Sequence, residues 1–82
     1  MEYDLQKVDD AVLALLHLVS FKDPTGIRAW KSQDWDVMNR LHEKGFISDP
    51  RTRARSVVLT EDGAEKAEML CRRFFARDAE KA

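Results

Sequence analysis

The 82 residues predict a mainly α-helical α+β domain closed by a small β-hairpin. Three observations carry that expectation. Apolar residues recur at helical spacing in three stretches, each preceded by a side chain suited to cap a helix start: Asp4, Ser32 and Thr60. Two turn signals, "DPTG" at 23–26 and "SDPR" at 48–51, separate those stretches or interrupt the chain between them. Before the last helix lies "SVVL" at 56–59, a β-branched run suited to a strand.

In chain order, the first helix is expected from the Asp4 cap to about Ser20. Leu5, Val8, Val12, Leu15, Leu16 and Val19 form its apolar stripe, with Ala11 beside it; Gln6, Lys7, Asp10 and His17 mark the wet side, and Leu13 and Leu18 fall outside the stripe. A helix apolar over so much of its circumference is either central in its domain or covered by a second chain. "DPTG" suits a type I turn. "IRAWK" at 27–31 fits a short strand, with Ile27 and Ala29 on one face and Arg28 and Trp30 on the other, and equally a single helical turn. Trp30 is expected as a plug under the first helix.

Ser32 is expected to cap a helix over 33–44, with Asp34 and Asp36 in its first turn, where the dipole favours negative charge. Trp35, Val37, Met38 and Leu41 give its buried side, and Gly45 is placed for the left-handed residue that ends it. The hairpin is expected near 46–48 and 56–59. Thr60 caps the last helix, whose inner face holds Ala64, Ala67, Leu70, Cys71, Phe74 and Phe75. Leu41, Ile47, Val57, Leu59, Leu70 and Phe74 are expected to share the core.

Length allows one domain, 1–82, near the size where one hydrophobic core is only marginally sufficient. With 35% charged residues and a net charge of −1, the chain as a whole exerts little pull on nucleic acid or membrane. The richest apolar window, "AVLALLHLVSF" at 11–21, falls well short of the roughly 18 residues of a membrane span and lacks a cationic segment before it. Neither a span nor a signal peptide is expected. Cys71 stands alone, so no intrachain disulfide is available, and a reducing cytoplasm is the natural compartment.

"RLHEKGFISDPRTRARSVVLTEDGAEKAEML", residues 40–70, resembles the second half of a winged-helix domain of the MarR and PadR type. In such domains a recognition helix ends in a Leu-x-x-x-Gly-Leu-Ile phrase, here Leu41 to Gly45 followed by Phe46 and Ile47. A basic two-stranded wing comes next, then an "LT-x-x-G" start to the following helix, here Leu59, Thr60 and Gly63. The whole chain also looks like a group of short bacterial proteins of unknown function. The winged-helix resemblance implies that 33–44 is the recognition helix and 50–55 the wing tip. It further implies that the second helix of such domains is shortened into 27–31 or replaced there by a strand.

On that basis Asn39 and Arg40 are the candidates for reading base edges in a major groove. Arg51, Arg53 and Arg55 are the candidates for phosphate contacts from the wing; the alternative for them is a charged, aggregation-resistant edge. Arg28 and Lys31 flank Trp30, a basic-aromatic cluster suited to stacking on a base. His17, His42 and Cys71 come from separate helices without metal-ligand spacing, and no nucleophile elbow or phosphate-cradling loop is present. No enzyme activity, cofactor, metal or small-molecule ligand is expected. The expected function is a DNA-binding regulator or accessory factor that contacts double-stranded DNA. Its alternative is a winged-helix domain turned to protein–protein interaction. A homodimer is expected in both cases, with Leu13 and Leu18 of the first helix and Met69 of the last at its interface.

Overall fold

The computed structural model describes residues 1–31 and 34–77. Along them run α1 (Leu5–Leu18), β1 (Phe21–Asp23), β2 (Gly26–Trp30), α2 (Trp35–Glu43), β3 (Ser56–Val58) and α3 (Glu61–Phe75). The strands form one antiparallel sheet in the order β1-β2-β3. The architecture among the described residues is therefore mixed α+β, three helices with a three-stranded antiparallel sheet, and the 27–31 alternative resolves as a strand.

Helix ends follow the local chemistry. The Asp4 carboxylate accepts from the backbone N–H groups of Gln6 and Lys7 at 3.0 and 3.3 Å, satisfying two donors that have no partner inside the helix. Asp34 caps α2 through the Asp36 N–H, two residues beyond the expected cap; that expected cap, Ser32, lies outside the described residues. Gly45 follows α2 at φ +81°, the left-handed conformation expected of it.

The start of α3 locks the chain junction. Thr60 Oγ1 accepts from Gly63 N–H at 2.9 Å and donates to the Gly45 carbonyl at 2.6 Å, while Thr60 N–H donates to the Phe46 carbonyl at 3.0 Å. A Cβ on residue 63 would lie 1.8 Å from the Phe46 oxygen, so only glycine allows this approach. The "LT-x-x-G" phrase thus has a steric cause in this chain.

Strand pairing differs from the expectation in two ways. β1 is an added strand: Asp23 pairs with Gly26 across the Pro24–Thr25 turn, whose Thr25 N–H donates to the Asp23 carboxylate at 2.8 Å. The expected hairpin is also reapportioned. β3 pairs along its length with β2, Arg28 to Val58 and Trp30 to Ser56, whereas the 46–48 arm is reduced to one bridge, Ile47 to Leu59. Beyond that bridge the Ser48 hydroxyl accepts from Val58 N–H at 2.9 Å, taking a role a backbone carbonyl would have. Pro50, which cannot donate to a ladder, then turns the chain away.

The core contains Leu13, Leu16, Ala29, Val37, Met38, Leu41, Ile47, Val57, Leu59, Ala67 and Leu70. Five of the six expected core members are in it; Phe74 is 43% exposed, since it sits in the last turn of α3, beyond the cover of its neighbours. Trp35 and Trp30 are corrections as well, at 55% and 53% exposed. The larger correction concerns α1. Its expected core stripe faces outward at Leu5, Leu15 and Val19, while Leu13 is fully buried and so cannot line a surface of this chain. Asp9 is the cause: it sits buried on the same face as Leu13 and Leu16, held by cations from α2.

Candidate interaction surfaces

Arg40 reaches across from α2 to α1. Its Nε donates to both Asp9 carboxylate oxygens at 3.0 Å and its Nη2 donates to Oδ1 at 2.7 Å. Lys44, one helical turn further, donates to Oδ2 at 2.9 Å. Burial alone would push the Asp9 carboxyl up, but the hydrogen bonds and charges of Arg40 and Lys44 outweigh it and hold the pKa below its ordinary value. Asp9 in turn raises Arg40 above the usual guanidinium range. The group is a charged clamp that ties α1 to α2, with both Asp9 oxygens occupied. Arg40, expected in a DNA groove, is built into this clamp, and half-buried Asn39 stands beside it. The outward side of α2 presents Asp34, Trp35, Asp36 and Glu43.

The loop 49–55 holds the three candidate arginines, all exposed. They are not equivalent. Arg51 donates to both oxygens of Asp49, at 3.0 and 3.2 Å, and its N–H donates to the same carboxylate at 2.9 Å, which lowers the Asp49 pKa to about 2. Arg53 and Arg55 make no ion pair among the described residues. The loop is tied to the end of β2, where Lys31 N–H donates to the Arg55 carbonyl at 3.0 Å and Lys31 Nζ to the Thr52 carbonyl at 2.8 Å.

Sheet register defines a second surface. Ile27, Ala29 and Val57 share the face turned to the core, so Phe21, Arg28, Trp30, Ser56 and Val58 share the other. There the Trp30 ring lies 5.1 Å from that of Phe21, tilted by 35°. Arg28 lies flat on the sheet: Nε donates to Ser56 Oγ at 2.8 Å, Nη2 to the Ser56 carbonyl at 3.2 Å and Nη1 to Thr25 Oγ1 at 3.0 Å.

The third surface is the outward side of α1. Leu5, Leu15, Leu18 and Val19 are 39 to 55% exposed, with half-buried Val8 and Val12 between them. Toward α2 this side continues into a groove of about 410 Å³ lined by Tyr3, Leu5, Val8, Val12 and Val37 together with the charged Asp34, Asp36 and Arg40. Leu18, one of the residues expected at a dimer interface, is exposed on this side. Met69 is also exposed but lines a separate open groove on α3, with Phe46, Asp62, Glu65 and Lys66. His17 borders a cavity with Ser20, Phe21 and Glu68, His42 places Nδ1 3.0 Å from the Ile47 carbonyl, and Cys71 is half-buried on α3; the three are not brought together.

Asp9 and Trp30 are the residues whose roles the sequence concealed. For Asp9 a signal existed: it is a carboxylate with leucines four and seven places on, at Leu13 and Leu16, the spacing of one helix face.

No helix among the described residues is long and apolar enough to cross a membrane. No solved structure matches the chain. It is similar to the uncharacterised protein y4hR of the bacterium Sinorhizobium fredii, 48% identical over 77 residues that cover 94% of this chain and all of the relative. A family model for a domain of unknown function matches residues 4–77, from the cap of α1 to just beyond the end of α3. The chain therefore belongs to that family, DUF6429.

Proposed function

We propose that this chain is a small protein-interaction domain that first associates with a second copy of itself, through the outward side of α1. The observation that carries this reading is the uncharged stripe from Leu5 to Val19, exposed along a helix whose opposite side already fills the core. Exposed contiguous apolar surface of this kind marks contact sites in soluble domains. The stripe is about 21 Å long at 1.5 Å per residue, and antiparallel pairing of two α1 helices about a two-fold axis lays each copy's stripe on the other's. Leucines at both ends make the patch self-complementary in that orientation.

Duplex-DNA binding of the winged-helix type has narrower support. β3 lies between β2 and the Ile47 bridge, and the 49–55 loop projects from that end as a wing would. Against a groove-reading role stand the engagement of Arg40 by Asp9 and the carboxylates of Asp34 and Asp36 at the start of α2. A lone half-buried cysteine suits a cytoplasmic setting.

Sedimentation velocity at high micromolar concentration tests the proposal. The native chain is expected at twice its 9.5 kDa mass, and Leu15→Glu/Leu18→Glu at the monomer mass with unchanged helical content. A monomeric native chain would contradict it.

A further inference from the structure

We infer that the outer face of the sheet, at its Trp30 end, is a stacking platform for single-stranded nucleic acid. Trp30, the last residue of β2, is 53% exposed, and its ring is backed by Phe21 across the β1–β2 hairpin. An indole held against a second ring keeps one face toward solvent in a fixed orientation. That is the arrangement an unpaired base stacks upon. Arg28, held by three hydrogen bonds to Ser56 and Thr25, lies on the same sheet face as the rings.

Charge supplies the second, independent observation. Residues 21–31 and 49–56 carry Lys22, Arg28, Lys31, Arg51, Arg53 and Arg55 against Asp23 and Asp49, a balance of +4 in a chain whose total is −1. The remaining segments are thus −5, and the molecule is polarised between the sheet end and the helices. Asp23 faces Arg28 at 3.8 Å and Asp49 faces Arg51 at 3.0 Å, so both acidic groups of this region are internally matched. Arg53 and Arg55 make no ion pair among the described residues, and the Lys31–Arg55 backbone bond places their loop at the strand end that bears Trp30. Rings with adjacent cations suit alternating bases and phosphates. A duplex keeps its bases stacked and paired and offers no free base face to such a platform. The occupant is therefore a single strand, bound with little preference for sequence and with strong salt dependence.

Fluorescence anisotropy with a labelled oligothymidylate of about fifteen nucleotides, and with the matching thymidine–adenine duplex, tests this at about 50 mM salt. The native chain is expected to bind the single strand more tightly than the duplex. Trp30→Leu, which keeps apolar bulk but removes the ring, should weaken single-strand binding about five- to a hundredfold, while Trp30→Phe retains most of it. Arg53→Ala/Arg55→Ala should reduce the slope of log affinity against log salt by about 1.4 units. Melting temperatures within a few degrees of the native value identify folded variants. Absence of binding by the native chain overturns the inference, as does single-strand binding that Trp30→Leu leaves unchanged. Duplex preference in the native chain would return the arginines to a plain phosphate-contacting wing and overturn it equally.

Discussion

The inward side of α1 carries Asp9, Leu13 and Leu16, each at most 1% exposed, whereas the outward side carries Leu5, Leu15, Leu18 and Val19, each more than a third exposed. By hydrophobicity alone the two sides would be exchanged. What separates them is the partner each can find within the chain. Asp9 gains three charge-assisted hydrogen bonds from Arg40 and a fourth from Lys44, so a carboxylate becomes the most anchored point of the helix. Beside it Ala14 and Ala67, both fully buried, let α1 and α3 approach closely. Among the described residues the outward side has no comparable anchor, and only Val8 and Val12 on it pack partly against the core. A buried face is therefore selected by the set of contacts it completes, and an excess of apolar residues on the other face leaves surface for a second molecule.

Substitutions on the two sides of α1 should behave in opposite ways. Leu13→Ala is expected to have the largest effect, lowering folding stability by about 2–5 kcal/mol in chemical denaturation, because Leu13 is fully buried in the core cluster. A loss below about 0.5 kcal/mol would return Leu13 to the surface. Asp9→Asn should cost about 1.5–3 kcal/mol, as two partly exposed cations lose a charged acceptor.

Acid should sharpen the same contrast. The Asp9 pKa lies below its ordinary 3.8 in the folded chain, so the clamp's contribution is complete above that value and is lost as pH falls through the lowered one. The native melting temperature should fall as pH drops from about 5 toward 2, and more steeply than that of Asp9→Asn. Asp23 and Asp49, whose pKa values are also lowered, leave a residual slope in the variant. Equal slopes would mean that the clamp adds nothing. Leu18→Ala should have the smallest effect on stability, within about 0.5 kcal/mol when the chain is dilute enough to be monomeric.

Local chemistry was legible in the sequence; distant pairing was not. Asp4, Thr60 and Gly45 act within a few residues of themselves, and each takes the place its type suggests. The "SVVL" strand and the alternation of Ile27 and Ala29 against Arg28 and Trp30 were readable for the same reason. Arg40 was not, because its partner lies 31 residues away and nothing near Arg40 on α2 announces it. Trp30 was misplaced because a tryptophan's size argues for burial, while its position on the strand, opposite Ser56, turns it to the outer face. β1 is three residues long, too short for a periodic signal, and exists because the Asp23–Gly26 turn folds it onto β2. The exposed stripe on α1 was visible as a pattern, yet only the position of α2 and α3 decides that it faces out.

The claim that the outward side of α1 is a contact between two copies is tested most directly by methyl resonances followed on dilution. With leucine and valine methyls labelled, Leu5, Leu15, Leu18 and Val19 should shift together along one binding curve, while Leu41, Leu59 and Leu70 hold still. A concentration-dependent shift confined to other methyls, or none from micromolar to millimolar chain, would contradict the account.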